Sequence, residues 1–167
     1  EGSTFYFTIP LPVADNQTDT QESTDNRSQT STHNTKPMRI LVTEDNEMNR
    51  QVLQGLLEKD GHMVFQAANG SEALEQCQKE RPELILMDIE MGGMNGEETT
   101  KKIRKHPDSS IASIPVIALT GNVMLEDIER YFESQMNGFI AKPIDPDKLY
   151  QTIDDASKGK FENPLTE

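Results

Sequence analysis

One stretch limits what this chain can fold into: Leu84-Ile85-Leu86-Met87-Asp88-Ile89-Glu90-Met91-Gly92-Gly93-Met94-Asn95-Gly96. Four apolar residues, Leu84 to Met87, run without alternation into one carboxylate, and a glycine-rich loop follows at once. Bounded by Pro82 before and glycines after, such a run predicts a strand buried on both faces, as in a parallel sheet covered by helices. Asp88 then stands at the carboxyl end of the strand, where open α/β sheets place their ligand crevices. A strand-terminal Asp also caps turns and helices, so this stretch alone leaves Asp88 as either a cap or a reactive group.

The surrounding sequence repeats the pattern. Met38 to Thr43 is an apolar run ending in Glu44-Asp45-Asn46, and Met48, Val52, Leu53, Leu56 and Leu57 then recur at helical spacing as far as Gly61, a helix stop. Met63-Val64-Phe65 reads as a second strand, followed by Asn69-Gly70-Ser71 and a helix with Ala73, Leu74 and Cys77. After the third strand a helix runs from about Gly96 to Lys105 and stops before Pro107. The fourth strand, Ile114 to Leu119, ends in Thr120-Gly121-Asn122, and the next helix carries Met124, Ile128, Tyr131 and Phe132. Phe139-Ile140-Ala141 forms a fifth strand leading into Lys142-Pro143, and a last helix from about Asp145 buries Leu149 and Ile153. Five strands alternating with five helices predict the α/β class, as a flavodoxin-like parallel sheet of order 2-1-3-4-5 with helices on both faces. A unit of about 120 residues buries around two-thirds of its unfolded-chain surface and should fold alone.

The chain ends read differently. Residues 1–12, EGSTFYFTIPLP, alternate Phe5, Phe7 and Ile9 against Tyr6 and Thr8 and close with Pro10 and Pro12, which is strand periodicity. A lone strand cannot bury its face, so this one is expected to belong to a domain that is mostly missing. Residues 13–36 are almost all Asp, Asn, Gln, Ser and Thr, a disordered polar linker by composition. Such a coil spans roughly 25–30 Å root-mean-square, and His33 within it has no neighbouring ligand or base. A polar tail occupies residues 158–167.

Charge narrows the function. With 16 basic and 29 acidic residues the net charge is −13, so nucleic acid is not expected as a direct partner. The single cysteine, Cys77, cannot form an internal disulfide and is expected as a free thiol in a reducing cytoplasm. No run approaches the ~20 apolar residues of a membrane span, and no signal peptide is visible. No membrane contact by this stretch is expected; if its parent is membrane-anchored, the anchor lies elsewhere. The start at Glu1 rather than methionine is expected of a processed chain or a piece of a longer one.

The strand ends carry the chemistry. The first strand gives Glu44 and Asp45, the third Asp88, the fourth Thr120 and the fifth Lys142. In a 2-1-3-4-5 sheet these strands are neighbours, so the five groups converge on one crevice. Each has a plain alternative: Glu44 or Asp45 capping the first helix, Thr120 capping the fourth, Lys142 a solvated charge. Yet two carboxylates about 4 Å apart repel by several kcal/mol at an effective dielectric near 20, so the cluster asks for a cation. Hard oxygen ligands in a small wet site suit Mg2+. Metal, carboxylate, lysine and hydroxyl together make a phosphoryl-transfer site, with Asp88 as acceptor. No nucleotide-binding glycine loop of the Walker type occurs.

The segments ILVTEDNEMNR, LILMDIEMGGMNG, VIALTGN and GFIAKPI resemble the signature segments of the response-regulator receiver domain over residues 37–157. The resemblance implies that Asp88 takes a phosphoryl group from a phosphohistidine of a histidine-kinase dimerisation domain. It implies that Asp45, Asp88 and the backbone carbonyl of Glu90 bind Mg2+, with Glu44 acting mainly through water. Lys142 pairs with the phosphoryl group across a cis bond to Pro143, Thr120 swings to hydrogen-bond it, and Phe139 rotates inward behind Thr120. Gly121 keeps the approach open, while Glu90 and Asn122 flank the site. Gly92 stands where the family usually has proline, and Asn95 where it usually has Asp. The opening GSTFYFTIPLP is similar to the last strand of histidine-kinase ATP-binding domains, so kinase end, linker and receiver follow in the order of a hybrid sensor histidine kinase. With no output domain in view, the next partner implied is a His-containing phosphotransfer domain docking on the exposed apolar part of the first helix. His62 and His106 read as structural or solvated rather than as phosphodonors.

Two other classes compete. A Mg2+-dependent phosphohydrolase on a similar sheet usually has a second Asp two residues after the nucleophile, where this chain has Glu90. A pseudo-receiver that only binds partners fits poorly with an intact Glu44, Asp45, Asp88, Thr120 and Lys142 set.

Overall fold

The structure, a computed structural model, describes residues 36–161. The strand expected over residues 1–12, the linker expected over residues 13–36 apart from Lys36, with His33, and residues 162–167 of the tail lie outside the described residues.

Five parallel strands form one sheet in the order β2-β1-β3-β4-β5. They are β1 (Arg39–Thr43), β2 (Met63–Ala67), β3 (Leu84–Asp88), β4 (Val116–Thr120) and β5 (Gly138–Ala141). β3 lies at the centre, with Leu86 opposite Val42 of β1 and Ile117 of β4. Every residue of β3 and β4 is buried, as a strand covered on both faces requires.

Side chains along each strand alternate between two apolar layers. Ile40, Val42, Leu84, Leu86, Ile117 and Leu119 face the layer closed by Leu53 and Leu57 of α1 (Glu47–Lys59) and by Leu149 and Ile153 of α6 (Pro146–Ser157). Leu41, Ile85, Met87, Val116 and Ala118 face the other layer. That layer is closed by Ala73 and Cys77 of α2 (Gly70–Glu80), Ile103 of α3 (Gly96–Arg104), Ile111 of α4 (Ser109–Ala112) and Tyr131 of α5 (Leu125–Glu133). Arg104 ties the second layer's ends together, its guanidinium donating to the carbonyls of Ala112, Ile114 and Gln135 and to Asn137 Oδ1.

Two details correct the sequence reading. Among the described residues there are six helical segments, not five. The addition, α4, is a four-residue turn capped by Asp108, whose side chain accepts from the Ser110 N–H; it is too short to show a 3.6-residue period. It also takes Ile114 out of the fourth strand, because the Ile114 N–H donates back to Ile111 and Pro115 intervenes before Val116. Met124 is not on the buried face of a helix but is the extended N-cap of α5, 69 % exposed beside exposed Val123 and Leu125.

Candidate phosphoryl-acceptor site

The carboxyl ends of β1, β3, β4 and β5 bring Glu44, Asp45, Asp88, Thr120 and Lys142 to one end of the sheet. The capping alternatives do not hold. The N-cap of α1 is Asn46, accepting from the Met48 and Asn49 N–H groups. The N-cap of α5 is Met124, and that of α3 is Asn95, accepting from the Glu98 N–H at 2.8 Å. Asn and Asp cap about equally well, so Asn95 keeps the function of the more usual Asp. Asp88 does make one turn contact: its Oδ1 accepts from the Glu90 N–H at 3.1 Å.

Lys142 is a bridge rather than a solvated charge. Its Nζ lies 2.8 Å from Glu44 Oε2 and 2.9 Å from Asp88 Oδ2, two carboxylates whose side chains are 2 % and 3 % exposed. The cation that the carboxylate cluster demands is therefore supplied within the chain at two of its three members. Asn49 Nδ2 donates to Glu44 Oε1 at 3.0 Å, and Arg50 Nη1 donates to the Glu44 carbonyl at 2.7 Å. Asp45 is exposed, and its Oδ2 accepts from the Gly92 N–H at 3.3 Å.

The environments separate the two buried carboxylates. Burial pushes Glu44 upward, but the hydrogen bonds from Lys142 and Asn49 outweigh it and hold the group below its ordinary value. For Asp88 burial prevails over the pull of Lys142, with the Glu44 charge adding to it, so Asp88 sits above its ordinary value. Burial lowers Lys142, yet the pairing with Asp88 and Glu44 prevails and raises it. The three groups share charge and titrate as a set.

Glycine is required behind Asp88. A Cβ on Gly96 would lie 2.3 Å from the Asp88 carbonyl oxygen, so α3 packs against this strand end only because position 96 has no side chain. Gly93 takes φ +83°, and a Cβ on Gly92 or Gly121 would meet nothing within 4 Å. Glu90, Asn122 and Pro143 are exposed around the crevice, and the Lys142–Pro143 peptide is cis. Phe139 is half-buried against the layer that contains Tyr131.

The donor set fits a hard divalent cation. Glu44, Asp45 and Asp88 each offer an oxygen, all within 4.8 Å of one another, and no softer ligand is among them. Asp45, the exposed member, is the one that Lys142 does not touch.

Several partners escaped the sequence reading. Asn49 and Arg50, in the first turns of α1, follow Glu44 by five and six residues, and that nearness in sequence is the signal that could have found them. The Tyr131 hydroxyl, 2.8 Å from Thr120 Oγ1, left no such trace. His62 and His106 lie away from the site. The His62 Nδ1 accepts from the Met38 N–H with Asp60 3.3 Å from Nε2, and His106 Nδ1 accepts from the Asp108 N–H.

A parallel 2-1-3-4-5 sheet with carboxylates, hydroxyl and lysine at its carboxyl edge defines a class, and comparison with known proteins gives the family. The family model of the response regulator receiver domain matches residues 40–154; this chain belongs to that family and is a receiver domain of two-component signalling. It is 37 % identical over 117 residues to the polar-differentiation response regulator DivK of Brucella anthropi, covering 70 % of this chain and 94 % of DivK. It is 34 % identical over 153 residues to the sensor histidine kinase AruS of Pseudomonas aeruginosa, covering 92 % of this chain but only 14 % of AruS. Among solved structures it resembles the receiver domain of the sensor histidine kinase PA1611 from Pseudomonas aeruginosa, with a TM-score of 0.66 and 31 % identity over 75 % of this chain and all of that one. That structure carries a magnesium ion coordinated in its active-site cleft. Vibrio cholerae CheY4 aligns with a TM-score of 0.68 and 29 % identity, covering 72 % of this chain and 99 % of CheY4. No helix among the described residues is long and apolar enough to cross a membrane.

Proposed function

We propose that this domain accepts a phosphoryl group on Asp88 from a phosphohistidine and passes it to a His-containing phosphotransfer domain, as the receiver of a hybrid sensor histidine kinase. The observation that carries the reading is the Lys142 bridge between Asp88 and Glu44 beside the exposed carboxylate of Asp45. Relatives that are sensor kinases support the parent, as does a 153-residue match to AruS that extends beyond the family-model span of residues 40–154.

Asp45, Asp88 and the Glu90 carbonyl would hold Mg2+, with Glu44 acting mainly through water. The chemistry supplied by the bound ion is neutralisation of charge on phosphoryl oxygens. The chain does the rest. An oxygen of the Asp88 carboxylate attacks phosphorus, the P–N bond of the donor breaks, and its electron pair stays on the imidazole nitrogen. Lys142 transfers its ion pair from Asp88 to a phosphoryl oxygen while keeping Glu44. Thr120 donates its hydroxyl proton to a second oxygen, and Phe139 follows inward. Gly121 leaves the approach clear, and Glu90, Asn122 and Pro143 at the rim govern access of water to the acyl phosphate. The donor and acceptor domains dock where α1 exposes Met48 and Val52. A groove of about 250 Å³ there runs past Val52, Leu56, Pro143 and Ile144 to Glu44 and Lys142.

Incubation with Mg2+ and acetyl phosphate, followed by intact mass, tests the reading. One phosphoryl adduct that maps to Asp88 is the expected result. Steady phosphate release from varied monoesters would instead mark a phosphohydrolase, and an inert protein a binding-only pseudo-receiver.

A second prediction concerns the metal. Saturating Mg2+ should raise the thermal midpoint, by about 2.7 kcal/mol of stability at a hundredfold excess over Kd. Asp45→Ala should abolish this rise. Without metal, that variant should melt at or slightly above the wild type, because it removes one like charge from the cluster. Melts insensitive to Mg2+ in the wild type would refute the ligand assignment.

A further inference from the structure

The hydroxyl expected to meet the phosphoryl group is already engaged. Thr120, 1 % exposed, donates to the Asn122 carbonyl at 3.0 Å, accepts from the Asn122 N–H at 3.0 Å, and lies 2.8 Å from the Tyr131 hydroxyl. Tyr131 comes from α5, is 2 % exposed, and has one other hydroxyl contact, with the Asn122 carbonyl at 3.4 Å. Its helix is tied to α3 by Arg130, which reaches Glu97 at 3.4 Å and Asp127 at 2.8 Å.

A threonine hydroxyl has one proton to give. For Thr120 to donate to a phosphoryl oxygen, that proton must leave its resting acceptor, and the side chain must turn away from Tyr131. The phenol would then keep only the long contact to Asn122, in a place closed to water. A buried hydroxyl short of partners is costly, so the phenol opposes the move.

We propose that Tyr131 is a positioning residue. Its hydroxyl latches Thr120 in the resting arrangement and thereby sets how readily Asp88 holds a phosphoryl group. This rests on the phosphoryl-acceptor reading above. The plainer role of Tyr131 is a core ring whose hydroxyl needs any partner, and the two roles differ in what removal of the hydroxyl does.

The test is the affinity for beryllofluoride, a phosphoryl mimic, measured with Mg2+ on wild type, Tyr131→Phe, Thr120→Ala and the double variant. Loss of one competing hydrogen bond should make Tyr131→Phe bind roughly tenfold more tightly. In the Thr120→Ala background the same exchange should change nothing, because the latch acts only through that hydroxyl. A lower thermal midpoint with unchanged affinity, weaker binding, or an equal gain with and without Thr120 would each overturn the latch. If Tyr131→Phe does not fold, Tyr131→Met removes the same hydroxyl and must show the same gain. A wild type that takes no beryllofluoride would instead bring down the phosphoryl-acceptor reading itself.

Discussion

Lys142→Met should destabilise the metal-free domain by about 2–4 kcal/mol at neutral pH, because it leaves two buried carboxylates facing each other without their shared cation. Methionine keeps most of the stem, so the loss is electrostatic rather than one of packing. The pH dependence identifies the cause. In the wild type, Glu44 is held below its ordinary value, so its contribution is present above the unfolded-state pKa and is lost as pH falls through the folded one. Lys142 is raised, so its contribution is present below its unfolded-state pKa and is lost as pH rises through the folded one. Asp88 is already raised in the wild type; without the lysine both carboxylates should shift upward from their wild-type positions, so the variant should gain more stability than the wild type as pH falls. The gap between wild type and variant should therefore narrow between about pH 8 and about pH 5. Denaturant unfolding at both pH values measures it, and a gap independent of pH would show that the lysine acts through something other than charge.

Asp88→Asn should abolish the phosphoryl adduct completely, since an amide is no nucleophile towards phosphorus. The exchange is nearly isosteric, and Lys142 retains Glu44. Relief of a buried, upward-shifted carboxyl offsets the lost ion pair, so stability should move by no more than about 2 kcal/mol in either direction. Intact mass after treatment with acetyl phosphate and Mg2+ reads the first effect, and a melt reads the second. An adduct that persists on the folded variant would move the acceptor to another carboxylate.

The buried run through Leu84–Met87 made the sheet legible, because a strand without alternation is found only where both faces are covered. Charges at successive strand ends then made the cluster legible, since topology alone brings them together. What stayed hidden depends on direction rather than spacing. Met124 has the right interval from Ile128 and Tyr131 to share a buried stripe, but the backbone at 124 is still extended and its side chain faces water. The α4 turn is shorter than one helical repeat needs to announce itself. Tyr131 read as a core residue, which it is, but that its hydroxyl meets Thr120 depends on the packing of α5 against the sheet. Lys142 was legible as a charge at the end of the fifth strand, whereas its resting position between Glu44 and Asp88 follows from side-chain paths that no interval encodes.

The glycine at position 92 has a consequence of its own. A proline there has no N–H, whereas Gly92 gives Asp45 a backbone proton. The lone pairs of Asp45 are thus shared between the loop and whatever cation arrives, so occupation of the site competes with this hydrogen bond. The Gly92 amide becomes a gauge of ligation. If Asp45 is a ligand as proposed, the hydrogen exchange of that amide should quicken, and its proton resonance shift, on addition of Mg2+, giving a readout of the acid pocket at a backbone atom of the loop.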